Sequence, residues 1–199
     1  MIEARRIATR NVLATAVGVA VVVVALSASL ATAADAPAAG APTTRDASCR
    51  GADKPAADTP SKKLRKSIRC LINRERAVHG FGKLDHRRAL QKAGQRHAKT
   101  MVATGCLAHR CPGEVDLEER LRQAGYFNGA SSWSFAENTG CAASAEAMVA
   151  GWLDVKFHRI NILNKDFHDV GVGVVHKRIK DRCDEGFVTF AVVFGDRAL

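Results

Sequence analysis

Two histidines and one glutamate lie on three separate segments of this 199-residue chain and have side chains suited to chemistry. His109 ends Leu-Ala-His, Glu137 is the centre of Ala-Glu-Asn, and His158 opens His-Arg-Ile-Asn-Ile-Leu. Imidazole nitrogens and carboxylate oxygens bind zinc and similar divalent ions, and imidazole also titrates near neutral pH. If these segments converge, they form one polar pocket for a metal ion, a polar ligand or proton transfer.

A second acidic side chain, Asp154, lies four residues before His158. The two side chains would share a helix face if one helix continued through both. No Gly-x-Ser-x-Gly nucleophile elbow is present, so hydrolysis would need a metal-activated water. A structural alternative also stays open, in which Glu137 only accepts backbone hydrogen bonds and His158 only caps a helix end.

The composition favours an exported protein with a basic surface. Lys and Arg outnumber Asp and Glu by 30 to 20, which gives a formal charge of +10. This charge is either a solvated surface or a means of attracting polyanions such as an anionic cell envelope. Aromatic residues make up only 6% of the chain, so no base-stacking platform is evident. Together with the predicted export, this argues against nucleic acid as a partner.

The N-terminal third predicts three successive regions. Residues 1–33 combine a basic start, a long apolar run and a small-residue cleavage site, which is typical of a secretory signal peptide. The run is long enough that an uncleaved N-terminal membrane anchor is the alternative. Residues 34–60 are rich in Ala, Pro, Thr, Gly and Asp and predict a flexible linker. The packed domain is then expected over residues 61–199.

An even number of cysteines follows the predicted signal peptide and indicates disulfides in an exported chain. Six cysteines allow 15 full pairings. A zinc site made of four cysteines is a rival interpretation, but no Cys-x-x-Cys spacing supports it. The preferred pairing is Cys49–Cys70, Cys106–Cys111 and Cys141–Cys183.

The hydrophobic pattern predicts helices first and strands later. Helices are expected from Ser61 to Gly80, from an N-cap at Asp85 to Gly105, after Asp116, and after Ser144. Strands are expected over residues 170–175 and 187–194, with a further strand over 133–136. The two late strands are apolar on both faces, which is typical of a sheet covered on each side. The predicted fold is α/β, a three-layer α/β/α sandwich with a central, mainly antiparallel sheet.

Several segments, in this order, resemble the CAP domain. That superfamily contains cysteine-rich secretory proteins, antigen 5 and plant pathogenesis-related proteins, and the closer resemblance is to its bacterial branch of small exported proteins. The matching segments are residues 70–76 and 80–84, 107–109, 119–126, 136–138, Trp152 with 158–163, Phe167, 171–173 and 194–195.

The resemblance implies a cavity lined by two histidines and two acidic residues. His109, Glu137 and His158 would fill three of these places and would be the metal ligands, for zinc or another divalent ion. The fourth acid of the eukaryotic members falls on Val155 here, and its neighbour Asp154 is a candidate replacement.

The predicted function is therefore that of an exported bacterial CAP-domain protein. We expect a non-enzymatic binding module whose His/Glu cavity holds a divalent metal or an envelope ligand. The alternative is a metal-assisted hydrolase, protease-like or esterase-like, that acts at the cell envelope. The expected location is secreted or extracellular, with the N-terminal anchor as the variant. The expected partners are a cell-envelope component or a lipid, and the expected oligomeric state is a monomer.

Overall fold

The helices and strands lie in residues 49–199, which are the part of the chain that the computed structural model describes. The predicted signal peptide or anchor and the first part of the predicted linker fall outside these residues. In chain order the elements are α1 (Ser61–Val78), β1 (Asp85–His86), α2 (Arg88–Thr104), α3 (Leu117–Ala124), β2 (Ser132–Ala142), α4 (Ala145–Asp154), α5 (Lys156–Ile162), β3 (Asp169–Val175) and β4 (Val188–Ala198). No helix within the described residues is long and apolar enough to cross a membrane.

The four strands form one sheet in the order β1-β3-β4-β2. β4 pairs antiparallel with β3 on one side and with β2 on the other, while the two-residue β1 pairs parallel with β3. The sheet is therefore mainly antiparallel, as predicted. β2 is longer than expected and runs through Glu137, whose register partner is Val193.

Alternate residues of β4 belong to two separate hydrophobic cores, because successive side chains point to opposite faces of a sheet. Phe190 and Val192 pack in the core that contains residues of α1 and α4. Val193 packs with residues of α2 and α3 on the other face. Helices thus cover both faces of the sheet, which confirms the predicted α/β/α sandwich.

Helix α2 lies almost directly on the backbone of β3. A Cβ atom built on Gly171 would be 2.0 Å from the Gln91 nitrogen, and one on Gly173 would be 2.3 Å from the Gly94 carbonyl carbon. Only glycine allows the two backbones to approach this closely. The glycines of the Gly-Val-Gly segment therefore set the distance between helix and sheet.

The predicted N-terminal ends of two helices, α3 and α4, are confirmed. The side chains of Asp116 and Ser144 accept hydrogen bonds from the backbone N–H of Glu119 and Ala147, as N-caps of α3 and α4. Asp85 is not the predicted N-cap of the second helix. It lies in β1, and its N–H donates to the His168 carbonyl oxygen, so the backbone pairs with β3 before the helix starts.

The fourth predicted helix is confirmed as α4, but it ends at Asp154 and a separate helix, α5, follows it. Val155, with φ −96° and ψ 117°, separates α4 from α5. Because the helix does not continue through both residues, the i, i+4 relation between Asp154 and His158 does not apply. Asp154 is the exposed last residue of α4, whereas His158 is half-buried in α5.

All six cysteines form disulfides in the preferred pairing, which leaves none for a zinc site. The bonds join Cys49 to Cys70, Cys106 to Cys111, and Cys141 to Cys183.

The domain boundary predicted at residue 61 is too late. Ala52 and Ala56 are buried in the core that contains α1. The Ala56 N–H donates to the Ala143 carbonyl oxygen, and the Glu146 N–H donates to that of Ala52. Small alanine side chains pack tightly here, so a composition typical of a linker belongs to the folded domain from Cys49 onward.

Candidate functional site

Glu137 is the centre of the polar cluster, and its carboxylate is nearly inaccessible to solvent. The side chain is 1% exposed, and it lies in β2. Arg120 of α3 donates from Nη1 to Oε2 at 2.8 Å and from Nη2 to Oε1 at 3.3 Å. Nη2 of the same guanidinium also donates to the His109 carbonyl oxygen at 2.7 Å. A buried charge needs such compensation, and here one arginine connects three elements.

His109 lies at the open side of this cluster. The Cys106–Cys111 disulfide closes the loop that carries it, and its side chain is 61% exposed. Its Nδ1 lies 3.1 Å from Glu137 Oε1. With Nδ1–H as the donor, Nε2 of the neutral ring is an acceptor that can face a ligand.

A second buried pair lies behind the first. The fully buried His97 of α2 has Nδ1 within 2.9 Å of both Glu114 carboxylate oxygens and Nε2 2.9 Å from the Ala108 carbonyl oxygen. Both ring nitrogens therefore have hydrogen-bond partners. These contacts make His97 a core histidine with satisfied hydrogen bonds, and they also brace the loop that carries His109.

His158 is held from the side of α5. Asn138 of β2 donates to the His158 carbonyl oxygen at 3.0 Å, and Asn161 donates to Asn138 Oδ1 at 2.9 Å. These amides tie the helix to the strand beside Glu137. The His158 Nδ1 is buried without a hydrogen-bond partner in the described part of the chain. A buried polar atom of this kind costs free energy unless something binds it.

Arg76 fixes the end of α5. Its buried guanidinium donates to the backbone carbonyl oxygens of Gly82, Ile162, Asn164 and Phe167 at 2.7–3.2 Å. Arg76 therefore has a structural role, because it satisfies carbonyl oxygens at the C-terminal end of the helix that carries His158.

The two site histidines have pKa values displaced in opposite directions. The hydrogen bond to Glu137 is the main cause that raises the pKa of His109, against partial burial. Burial, followed by the positive charge of His109, lowers the pKa of His158. Because charge on one ring affects the other, the two imidazoles belong to one electrostatic site.

This coupling predicts the order of titration. As pH falls, His109 should gain its proton first, and His158 should resist protonation to a pH below the usual value of about 6.5. Replacing His109 with Ala should raise the pKa of His158, because the second cause of its depression is removed. Histidine-selective NMR titration measures both values, and an unchanged His158 pKa in the variant would contradict the coupling.

The same displacements give the pH dependence of stability. His109 has a raised pKa, so its contribution to the free energy of unfolding is complete below the pKa that it has in the unfolded chain. This contribution is lost as pH rises through the pKa of His109 in the folded protein. His158 has a lowered pKa, so its contribution is complete above the unfolded value and is lost as pH falls through the folded pKa.

The donor set does not fit a metal centre of three protein ligands. Both Glu137 oxygens are held by Arg120, and Oε1 also faces His109. Val155 replaces the fourth acid and is 45% exposed. Within residues 49–199, no three His, Cys, Asp or Glu side chains are grouped so that they could hold a metal. The metal assignment to His109, Glu137 and His158 stays a prediction, with the two imidazoles as its available donors.

The sequence interpretation missed Arg120 and Glu114. Arg120 looked like an ordinary charge on an amphipathic helix, yet its side chain is only 3% exposed. Its position toward the core side of α3, next to the buried Leu121, was a usable signal. Glu114 lies in a loop, and no local pattern indicates that it pairs with His97.

The fold and this polar cluster define a class of protein. Residues 70–193 match the CAP family, described as the cysteine-rich secretory protein family, and the chain belongs to it.

Three bacterial proteins are similar to this chain. The chain is 28% identical over 128 residues to the uncharacterised membrane protein YlbC of Bacillus subtilis, which covers 62% of this chain and 36% of YlbC. An extracellular protein of Bacillus anthracis that contains an SCP domain superposes with a TM-score of 0.55 at 24% identity, covering 68% of this chain and 43% of that one. An outer surface protein of Borrelia burgdorferi superposes with a TM-score of 0.58 at 17% identity, covering 70% and 97%. The chain thus spans less than half of the two Bacillus proteins, and the structural likenesses show the shared fold.

Proposed function

We propose that this protein is an exported, non-enzymatic binding module whose His109–His158 site holds a polar ligand of the cell envelope. The observation that carries this proposal is the buried Nδ1 of His158, which has no hydrogen-bond partner among residues 49–199 and belongs to a helix tied to the strand of the already compensated Glu137. The groups that remain available are imidazoles, which exchange hydrogen bonds with a ligand in either protonation state.

The state of Glu137 argues against a role as general base. Burial alone would raise its pKa, but hydrogen bonds from His109 and Arg120 and the charges of His97 and Arg120 outweigh burial and lower it. A base near neutral pH needs a pKa close to the working pH. A carboxylate with a lowered pKa and a fixed guanidinium partner instead orients His109.

Export is part of the proposal. Residues 1–33 have the pattern of a secretory signal or N-terminal anchor, and three disulfides fit an oxidising compartment. One relative is described as extracellular, one as an outer surface protein and one as a membrane protein. We therefore propose a location at or outside the cell surface, where an envelope component is the available ligand.

A divalent metal is the second candidate, again because of His158 Nδ1. Neutral imidazoles are zinc ligands, and a hydrogen bond from the other ring nitrogen to a carboxylate typically orients such a histidine. His109 has this arrangement with Glu137. Two imidazoles would bind a metal weakly and reversibly, with the other positions left to water or a ligand.

A histidine-selective NMR titration of the full chain tests the site. The probes are glycerol phosphate, as a polar envelope headgroup, and zinc chloride, each added separately. We expect the His109 and His158 ring signals to move with glycerol phosphate, and this binding to be lost in a His109→Ala, His158→Ala variant. The matched control is His86→Ala, His176→Ala, which removes two exposed imidazoles elsewhere and should bind as the wild type does.

The outcomes separate the candidates. A response to zinc alone, with metal retained in elemental analysis, supports the metal site over the polar ligand. Hydrolysis of ester or peptide libraries that disappears in the site variant supports the hydrolase instead. If neither probe moves these signals more than those of His86 and His176, the proposed site is wrong.

A further inference from the structure

The outer face of α1 carries a row of cations that is separate from the histidine site. Lys62, Lys66 and Arg69 are spaced i, i+4 and i+7, so their side chains follow one line along the helix. Lys63, Arg65 and Arg74 flank this row. The helix has 18 residues and is therefore about 27 Å long.

These cations have little compensating charge. Residues 49–87 contain eleven Lys or Arg against four Asp or Glu. Arg76 donates hydrogen bonds to backbone carbonyl oxygens, and Arg87 forms an ion pair with Asp169. Within the described residues, nine remain without an ion pair: Arg50, Lys54, Lys62, Lys63, Arg65, Lys66, Arg69, Arg74 and Lys83.

The crowding has an electrostatic consequence at Arg69. Its pKa is lowered, first by partial burial and then by the positive charge of Arg65. Like charges that stay close together without an acid between them leave an attractive potential for anions. An anion bound along α1 would relieve this repulsion.

Two concavities lie along the row and meet at Lys66. The first, of about 570 Å³, includes Arg50, Lys54 and Lys63 in its wall. The second, of about 590 Å³, includes Arg69, Arg74 and Lys83. Lys66 lines both. The basic surface therefore contains two depressions that share Lys66 in their walls, and each wall has more cations than acids, with Asp58 in the first and Asp85 in the second.

We infer that this α1 surface binds a linear polymer that carries repeated phosphate groups. Its length spans several anionic repeats, and its lysines and arginines are phosphate donors. A membrane surface fits less well, because interfacial helices bury large apolar side chains. Val78, at the last position of α1, is the exposed large apolar residue of this helix.

The site is distinct from the histidine site in position. Neither His109 nor His158 lines either of the two concavities along α1. The two proposals therefore fail or succeed separately. The His109→Ala, His158→Ala variant should bind the polymer as tightly as the wild type.

Binding of fluorescent inorganic polyphosphate to the full chain, followed by anisotropy, tests the inference. The variant Lys62→Gln, Lys66→Gln, Arg69→Gln should lose about tenfold or more in affinity at low salt. The variant should also make the slope of log K against log salt less steep by about 2. It loses three phosphate contacts, and each contact contributes about 0.7 to the slope.

A matched control exists on α2. Lys92, Arg96 and Lys99 have the same i, i+4, i+7 spacing and are exposed, but they line neither concavity, whereas Lys66 and Arg69 of the test variant do. Their triple change to Gln removes the same charge and should alter affinity by less than about twofold. Equal losses of affinity in the two triple variants would show that net charge alone causes the effect, and the proposed site would then be wrong. Binding to phosphatidylglycerol vesicles without binding to polyphosphate would also overturn it.

Discussion

Replacing Arg120 with Met should lower the free energy of unfolding by about 3–5 kcal/mol, because it leaves a buried carboxylate without its partner. Arg120 is 3% and Glu137 1% exposed in their side chains, and the ion pair is 2.8 Å long. The same change also removes the hydrogen bond to the His109 carbonyl oxygen. Urea denaturation followed by circular dichroism measures the loss.

Arg122, two residues later on α3, is the matched control. It forms ion pairs with Glu118 and Glu119, but its side chain is 53% exposed. Arg122→Met should therefore cost less than about 1 kcal/mol. The double variant Arg120→Met, Glu137→Gln should recover part of the loss, since no buried charge is then left unpaired. If Arg120→Met costs no more than Arg122→Met, the carboxylate is not buried as described.

Replacing Gly171 with Ala should destabilise the fold by about 3 kcal/mol or more. The new Cβ would lie 2.0 Å from the Gln91 nitrogen and 2.3 Å from the Leu90 carbonyl carbon, which are backbone atoms of α2. Overpacking by one methyl group usually costs about 1–3 kcal/mol, and here no flexible side chain can move aside. Denaturant unfolding, or the loss of soluble protein on expression, reports the effect.

Gly151 provides the opposite expectation with the same chemical change. It lies within α4, and a Cβ there meets nothing within 4 Å. Gly151→Ala should stabilise the protein by about 0.5–1 kcal/mol, since alanine loses less conformational freedom in a helix. Comparable stability of the two alanine variants would show that α2 does not approach β3 as closely as these contacts require.

Local sequence patterns predicted the structure best where interactions between residues close in sequence determine it. Asp116 and Ser144 cap helices because their side chains accept hydrogen bonds from backbone N–H groups three residues away. The apolar runs around Val172 and Val192 predicted buried strands because both faces of those strands are covered. The order of helices and strands then sufficed to predict three layers.

The same patterns failed where long-range contacts decide. Asp85 has the residue type of an N-cap, but pairing with Asp169 in β3 draws it into the sheet. Residues 49–60 have the composition of a linker, yet Ala52 and Ala56 fill space beside α1. Local propensity is a weak prior that such tertiary contacts override.

By itself, the sequence determined the three-layer fold, the family and the chemical types at His109, Glu137 and His158, because periodicity and motif order are local properties. Only the tertiary structure decided which side chains of the site already have hydrogen-bond or ion-pair partners. It turned Arg120 toward Glu137 and left Asp154 at the surface as the last residue of α4. It also buried His158 Nδ1 without a hydrogen-bond partner among residues 49–199. A charged side chain on an amphipathic helix does not reveal its burial or its partner across the sheet, so the balance of charge in the site follows only from packing.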